Sequence, residues 1–236
     1  MKNKYLVLGL QALASLIFTT ASFAIEPADE NAEQQKYVVD AETSYIHIYT
    51  GVAGLMKSLS HKHLVAIRHL EGEVVWGIEQ PRAYLEFYPA DFLVDDDIER
   101  SRAVDEDFRH PVANWIKTGT KKNMLSRSLL NVDFHPKISV DIEMLNPQTP
   151  DQTFESIETQ FSVSIDLKGH TQELILPATL SISEDQVQIT GDFELDHADI
   201  GLKPFSAPGG LSKVADSLRF QFEINAITAT DASTTN

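Results

Sequence analysis

Residues 161–183 read FSVSIDLKGHTQELILPATLSIS, and this stretch decides the fold class. Phe161, Val163, Ile165 and Leu167 alternate with Ser162, Ser164, Asp166 and Lys168. Successive side chains on a strand point to opposite faces, so a period of two makes a strand with one apolar and one polar side. Gly169-His170 falls where a tight turn is needed, and a second strand follows from Thr171. Two strands joined so closely run antiparallel and share one core face.

The same period of two recurs on either side. It is visible in Ile138-Val140-Ile142-Met144 and in Leu218-Phe220-Phe222-Ile224-Ala226, with Glu184-Asp185 marking a further turn. Pattern reading gives about eight strands, near 38–50, 63–77, 82–90, 134–145, 156–168, 171–183, 186–200 and 215–228. Between the third and fourth the texture changes. Residues 98–108 are charged and free of Gly and Pro, with Asp95, Asp96 and Asp97 ahead of them as cap and dipole partners. A second helix is expected from Thr118 or Thr120, with Leu125 and Leu129 four residues apart, until His135-Pro136 stops it.

Consecutive antiparallel strands leave two exposed edges unless the sheet closes. The expected fold is therefore all-β: an eight-stranded antiparallel lipocalin-like barrel with a short helical insertion between strands 3 and 4. A two-sheet sandwich fits the same strand count. A barrel of this size is either filled by side chains or holds one small ligand.

Composition narrows the function. The chain has 236 residues, 19 Lys+Arg against 35 Asp+Glu, and a formal net charge of -16. No basic stretch is available to displace counterions from a phosphate backbone, so nucleic acid is excluded as a first-choice partner. Lys2 and Lys4, an apolar run over 5–18 and Ser22-Phe23-Ala24 form a secretory signal, interrupted by Gln11 and Ser15 and shorter than the ~20 apolar residues of a span. Cleavage after Ala24 and export to a periplasm are expected. The organisation is then a signal peptide over 1–24, a flexible leader over 25–36, one barrel domain over 37–228 and a disordered tail over 229–236. There are no cysteines, hence no disulfides and no thiol chemistry.

No nucleophile elbow, phosphate loop, zinc-protease helix or dinucleotide fingerprint occurs, and no cofactor is implied. The most suggestive local feature is Ser60-His61-Lys62-His63. On a strand His61 and His63 share a face, where two imidazoles begin a metal site if His135, His197 or an acid from 95–107 joins them; they serve equally as hydrogen-bonding groups. The acids at 95–97, Glu99 and 105–107 lack the ligand order and central glycine of a calcium loop, and read as helix caps and a solvated face. Trp76, Phe87, Phe161, Phe193, Phe220 and Phe222 fit a packed core or the lining of an apolar cavity.

Several short segments, in this order, resemble the YceI family of polyisoprenoid-binding, lipocalin-like domains. They are Tyr37-Val38-Val39-Asp40 with Ser44-Tyr45-Ile46, then Leu70-Glu71-Gly72-Glu73-Val74. After them come Met124-Leu125 and Leu129 leading to His135-Pro136-Lys137-Ile138, and the hairpin over 163–176 with Gly169-His170-Thr171 at its turn. The resemblance runs from about residue 37 to residue 228. Lys121-Lys122-Asn123-Met124-Leu125 stands where members often carry Arg-Asp-x-His-Leu, and the 60–63 and 95–109 elements mark a divergent branch.

The resemblance implies a barrel with an apolar channel for an isoprenoid chain, a polyprenyl lipid or a quinone, and no catalysis. Its expected ligand-binding residues are His61, His63, Trp76, Phe87, Lys121, Met124, Phe161, Phe220 and Phe222. Family members occurring beside cytochrome b561 imply a membrane cytochrome as a further partner. The competing expectations are a metal-dependent or redox-linked enzyme using His61 and His63, and an accessory module of such a cytochrome.

Overall fold

Among the described residues eleven β segments form one sheet. They are β1 (Gln35–Val39), β2 (Tyr45–Ala53), β3 (His63–Ile67), β4 (Glu71–Trp76), β5 (Arg82–Phe87), β6 (Leu93–Val94), β7 (Ile138–Met144), β8 (Phe154–Leu167), β9 (His170–Ile182), β10 (Gln186–Asp196) and β11 (Lys213–Thr228). The structure is a computed structural model describing residues 34–54, 61–77, 81–146, 154–210 and 212–228. The expected signal peptide, most of the leader and the tail lie outside the described residues. β1 takes in Gln35 and Lys36, which the sequence placed in the leader.

The order β1-β4-β5-β7-β8-β9-β10-β11 returns to β1 through antiparallel pairing of residues 37–39 with 226–228. Eight strands thus close the expected barrel, and the two-sheet sandwich is not formed. β11 is shared: residues 213–223 pair with β2, from which β3 and β6 extend the wall at the other end.

The expected runs at 38–50 and 63–77 are each two strands. β1 and β2 are separated by an Asx-type turn, in which the Asp40 carboxylate accepts from Glu42 N at 3.0 Å and Thr43 Oγ1 at 2.7 Å. There the Ser44 hydroxyl replaces a strand neighbour. It accepts from Asn225 N at 2.9 Å and donates to Asn225 O at 3.2 Å, keeping the buried seam satisfied.

Two glycines of the sequence motifs have physical tasks. The β8–β9 turn is made by Lys168 and Gly169, with φ of 57° and 75°, and Leu167 pairs with His170. A two-residue hairpin of this twist needs positive φ at both positions, so the turn lies one residue earlier than Gly169-His170. Gly72 packs under β5, and a Cβ there would lie 2.3 Å from Tyr84 O and 2.7 Å from a Leu85 methyl. Backbone cannot yield as a side chain does. Gly72→Ala is expected to lower unfolding free energy by about 3 kcal/mol, read as a reduced urea midpoint with unchanged slope.

The insertion is less helical than expected. α1 (Asp97–Ser101) is short, and a separate 3-10 turn covers Glu106–Phe108. Ala103 and Phe108 both pack with Tyr49 and Leu64 on the outer side of β2 and β3. Residues five apart sit about 140° apart around a straight helix, so a continuous helix could not deliver both. α2 (Asn114–Leu125) begins before Thr118, and Ser126 ends it in an extended conformation, leaving Leu129 in the turns beyond.

The barrel interior is divided. At the closed end Tyr37, Val74, Trp76, Met144, Leu180, Val187 and Ala226 are buried in the main core. At the other end side chains do not fill the space.

Candidate functional site: an apolar cavity with a polar corner

A cavity of about 770 Å³ occupies the end walled by β2 and β3 and covered by α2. No residue of β1 or β4 lines it. Its walls are the inward positions of the alternating strands: Ile46, Ile48 and Val52 of β2, Val140 and Ile142 of β7, Phe161, Val163 and Ile165 of β8, and Ile189, Phe193 and Leu195 of β10. Phe193 stacks on Phe220 at 5.6 Å and meets Phe222 edge-on at 6.0 Å. The volume falls within the range that buries most of a drug-sized ligand.

Of the expected ligand-binding residues, His61, His63, Phe87, Met124, Phe161, Phe220 and Phe222 line the cavity. Trp76 does not. It packs in the closed end, where β4 pairs with β1, and its side chain helps to fill that half. Lys121 does not either: Ile116, Thr120, Asn123 and Met124 are the positions of α2 that reach the cavity with Trp115, and Lys121 lies off that set. Phe193, a core or cavity-lining position by sequence but not an expected ligand-binding residue, lines the cavity too, as do His197, expected only as a metal ligand, and Thr50, Thr120 and Trp115, which carried no such expectation. The first was legible in the alternation of β10, whereas nothing local distinguishes the two threonines.

A polar corner interrupts the apolar wall. His63 Nδ1 is 2.6 Å from Asp95 Oδ2, and because a carboxylate only accepts, Nδ1 carries the proton. The other carboxylate oxygen accepts from Arg100 Nη1 at 2.6 Å and Leu64 N at 3.0 Å. Arg100 also donates through Nε to His110 O at 2.8 Å. Asp95 is wholly buried. Burial by itself would raise its carboxyl pKa, but hydrogen bonding and charge from His63, with Leu64 N and Arg100, hold it below the ordinary value. His63 Nε2 lies 3.5 Å from Thr120 Oγ1.

Behind this wall, on the outer side of β2, His47 Nε2 donates to Glu99 Oε2 at 2.9 Å, and Arg68 and Arg102 stand 3.6 Å from Glu99 Oε1. The acidic segment is therefore not only caps and solvated surface. Asp96 caps α1 by accepting from Ile98 N and Glu99 N, but Asp95 and Glu99 are buried structural partners. Burial disfavours the charged ring of His47 and lowers its pKa from 6.5, against the pull of Glu99.

The unfolded chain then takes up this proton first as the solution is acidified. The stability tied to neutral His47 is present above pH 6.5 and is lost as pH falls toward the lower folded value. Asp95 acts in a separate window, below its ordinary 3.8. Urea midpoints are expected to fall between pH 7 and pH 5.5, and less steeply in His47→Gln.

The two histidines considered as further ligands, His135 and His197, are engaged elsewhere. His197 Nδ1 donates to Asp216 O at 2.7 Å, and His135 lies against Gly169 at the hairpin turn. Among the described residues no group of three or more His, Asp or Glu is gathered in a metal-holding arrangement.

Comparison with known proteins agrees with this architecture. Among curated proteins none matches the chain. Several solved structures share the fold, among them the following two. The polyisoprenoid binding domain from Saccharophagus degradans implicated in plant cell wall breakdown aligns with TM-score 0.52 and 12% identity, over 81% of this chain and 98% of its own. BcnA of Burkholderia cenocepacia aligns with TM-score 0.52 and 11% identity, over 79% and 98%. The family model described as YceI-like domain matches residues 37–226, most of the chain and the whole of the cavity wall, and the protein belongs to that family.

Proposed function

We propose that this protein is an exported, non-enzymatic carrier that holds an isoprenoid-type lipid, a polyprenyl lipid or a quinone, inside the barrel. The observation that carries the reading is the hollow half of the barrel, walled by Ile, Val, Leu and Phe and large enough for a ligand. Each Å² of apolar tail removed from water gains roughly 25 cal/mol. A rigid strand wall limits the ordering cost of binding. That a structural neighbour, the Saccharophagus degradans domain, is a polyisoprenoid binding domain supports the same ligand class. The expected signal ending at Ala24 supports a periplasmic location.

The test is gentle mass spectrometry of the mature protein, purified without detergent from an exporting host, with lipid analysis of an organic extract and a metal assay on the same sample. Near-stoichiometric isoprenoid mass supports the carrier. A protein that arrives empty and takes up no added isoprenoid overturns it, and stoichiometric metal would move the function to the histidines.

A further inference from the structure

α2 covers the cavity, yet none of its residues is buried. At about 100° per residue, the positions that reach the cavity from within the helix, Ile116, Thr120, Asn123 and Met124, share one side of it. Thr118, Lys121, Lys122 and Leu125 fall on the opposite side. Trp115 stands at the rim between the two. It lines the cavity and is still 77% exposed, so a large apolar ring faces water beside the entrance to an apolar hollow.

The charge of this cover is opposite to that of the chain. The net charge is -16, but between Asp107 and Asp133 the sequence carries Arg109, Lys117, Lys121, Lys122 and Arg127 and no acid. Lys117 is bound to Asp97 at 2.7 Å, and Arg109 lies 3.9 Å from Glu106. Among the described residues no carboxylate pairs with Lys121, Lys122 or Arg127. Lys122 and Arg127 are exposed and Lys121 partly so, and Lys122 lies about two turns beyond Trp115 on the same line of the helix.

An isoprenoid tail is driven out of water, so a carrier has to receive it and release it at a bilayer, with the cavity mouth turned to the lipid. An exposed indole beside free cations suits that surface. Tryptophan settles at the headgroup level of a bilayer, and the long stems of lysine and arginine reach the phosphates while lying on apolar surface. Each such cation strengthens binding to an anionic surface about fivefold. The acidic remainder of the chain is repelled by the same surface, so charge also selects the orientation.

We propose that the outer face of α2, with Trp115 at its edge and Lys121, Lys122 and the following Arg127 as its cations, docks on an anionic lipid bilayer and brings the cavity mouth to the membrane. This rests on the carrier reading above and adds the surface at which the lipid is exchanged. Mature protein would be mixed with vesicles of phosphatidylcholine, alone or with an equal part of phosphatidylglycerol, and with or without brominated acyl chains. Sedimentation is expected to show binding to the phosphatidylglycerol vesicles alone, lost at high salt. The Lys121→Gln, Lys122→Gln, Arg127→Gln triple variant should bind them about a hundredfold more weakly. Trp115 emission should shift to the blue and be quenched by the brominated chains, with Trp115→Phe assigning the signal against Trp76 of the closed end. Uptake of geranylgeraniol from dilute solution should be unchanged in the triple variant, because none of the three residues lines the cavity. Equal binding to both vesicle types, a triple variant that binds as the parent does, or an unquenched Trp115 overturns the docking face. Protein that takes up geranylgeraniol and ignores the vesicles loses the docking face to a protein partner and keeps the carrier reading. Protein that takes up no geranylgeraniol overturns the carrier reading, whatever its binding to vesicles.

Discussion

Ala178→Trp is expected to weaken isoprenoid uptake at least tenfold without unfolding the protein. Ala178 lies on β9 among the residues that line the cavity, and its small side chain leaves the space in front of it open. An indole brings on the order of 150–250 Å² of surface into a hollow that otherwise receives the ligand tail. Insertion into a packed core would force neighbours off their rotamers. Insertion into a void instead adds contacts the wall lacks. The variant should therefore melt at or above the wild-type temperature while its lipid occupancy, read by gentle mass spectrometry, collapses. A variant that binds as well as the parent would place the ligand elsewhere on the molecule. The same substitution at Val74, in the filled half, is expected to destabilise instead, so the pair distinguishes hollow from packed space.

The largest expected loss of stability comes from Arg100→Met. Arg100 and Asp95 are both buried, and the guanidinium is the full countercharge to the carboxylate. Methionine preserves much of the packing and removes the charge, leaving Asp95 supported by His63 and one backbone N–H. Breaking a buried pair on one side costs about 3–5 kcal/mol, a large part of the roughly 5–15 kcal/mol that holds a typical domain together. Chemical denaturation at pH 7 reads the loss. Adding Asp95→Asn removes the stranded charge, so the double variant should recover part of the stability. If the single variant were as stable as the parent, the Asp95–Arg100 pair would not be what anchors the insertion to β3.

How much of this was legible depends on the range of the signal. Alternation in 161–183 is a local property, so strand direction, inward face and hairpin followed from it, and the cost of free edges made a closed barrel the expected fold with a sandwich as its alternative. The break between β1 and β2 was not visible, because the seam at Ser44 depends on Asn225, far along the chain. The insertion was misjudged for a similar reason. Its apolar residues Ala103 and Phe108 answer to Tyr49 and Leu64 rather than to a helical period of their own. Among the candidate site residues, the aromatic positions of β5, β8 and β11 were found by their inward phase. Trp76 has the same inward phase, and only its height in the barrel removes it from the cavity.

The sequence by itself determined that this chain is an antiparallel β protein, with its insertion after the third run and no local catalytic motif, and the β1–β11 pairing decided a barrel over a sandwich. Periodicity, turn residues and composition act over a few residues and need no partner to be read. Only the tertiary structure decided that one half of the barrel is filled and the other empty. That is a balance of side-chain volumes summed over strands that are distant in sequence. It also decided that Thr50, His63 and Thr120 meet at one corner, with Asp95 and Arg100 behind them. Hydrogen bonding and charge are short-ranged, so their partners are chosen by packing and not by spacing along the chain.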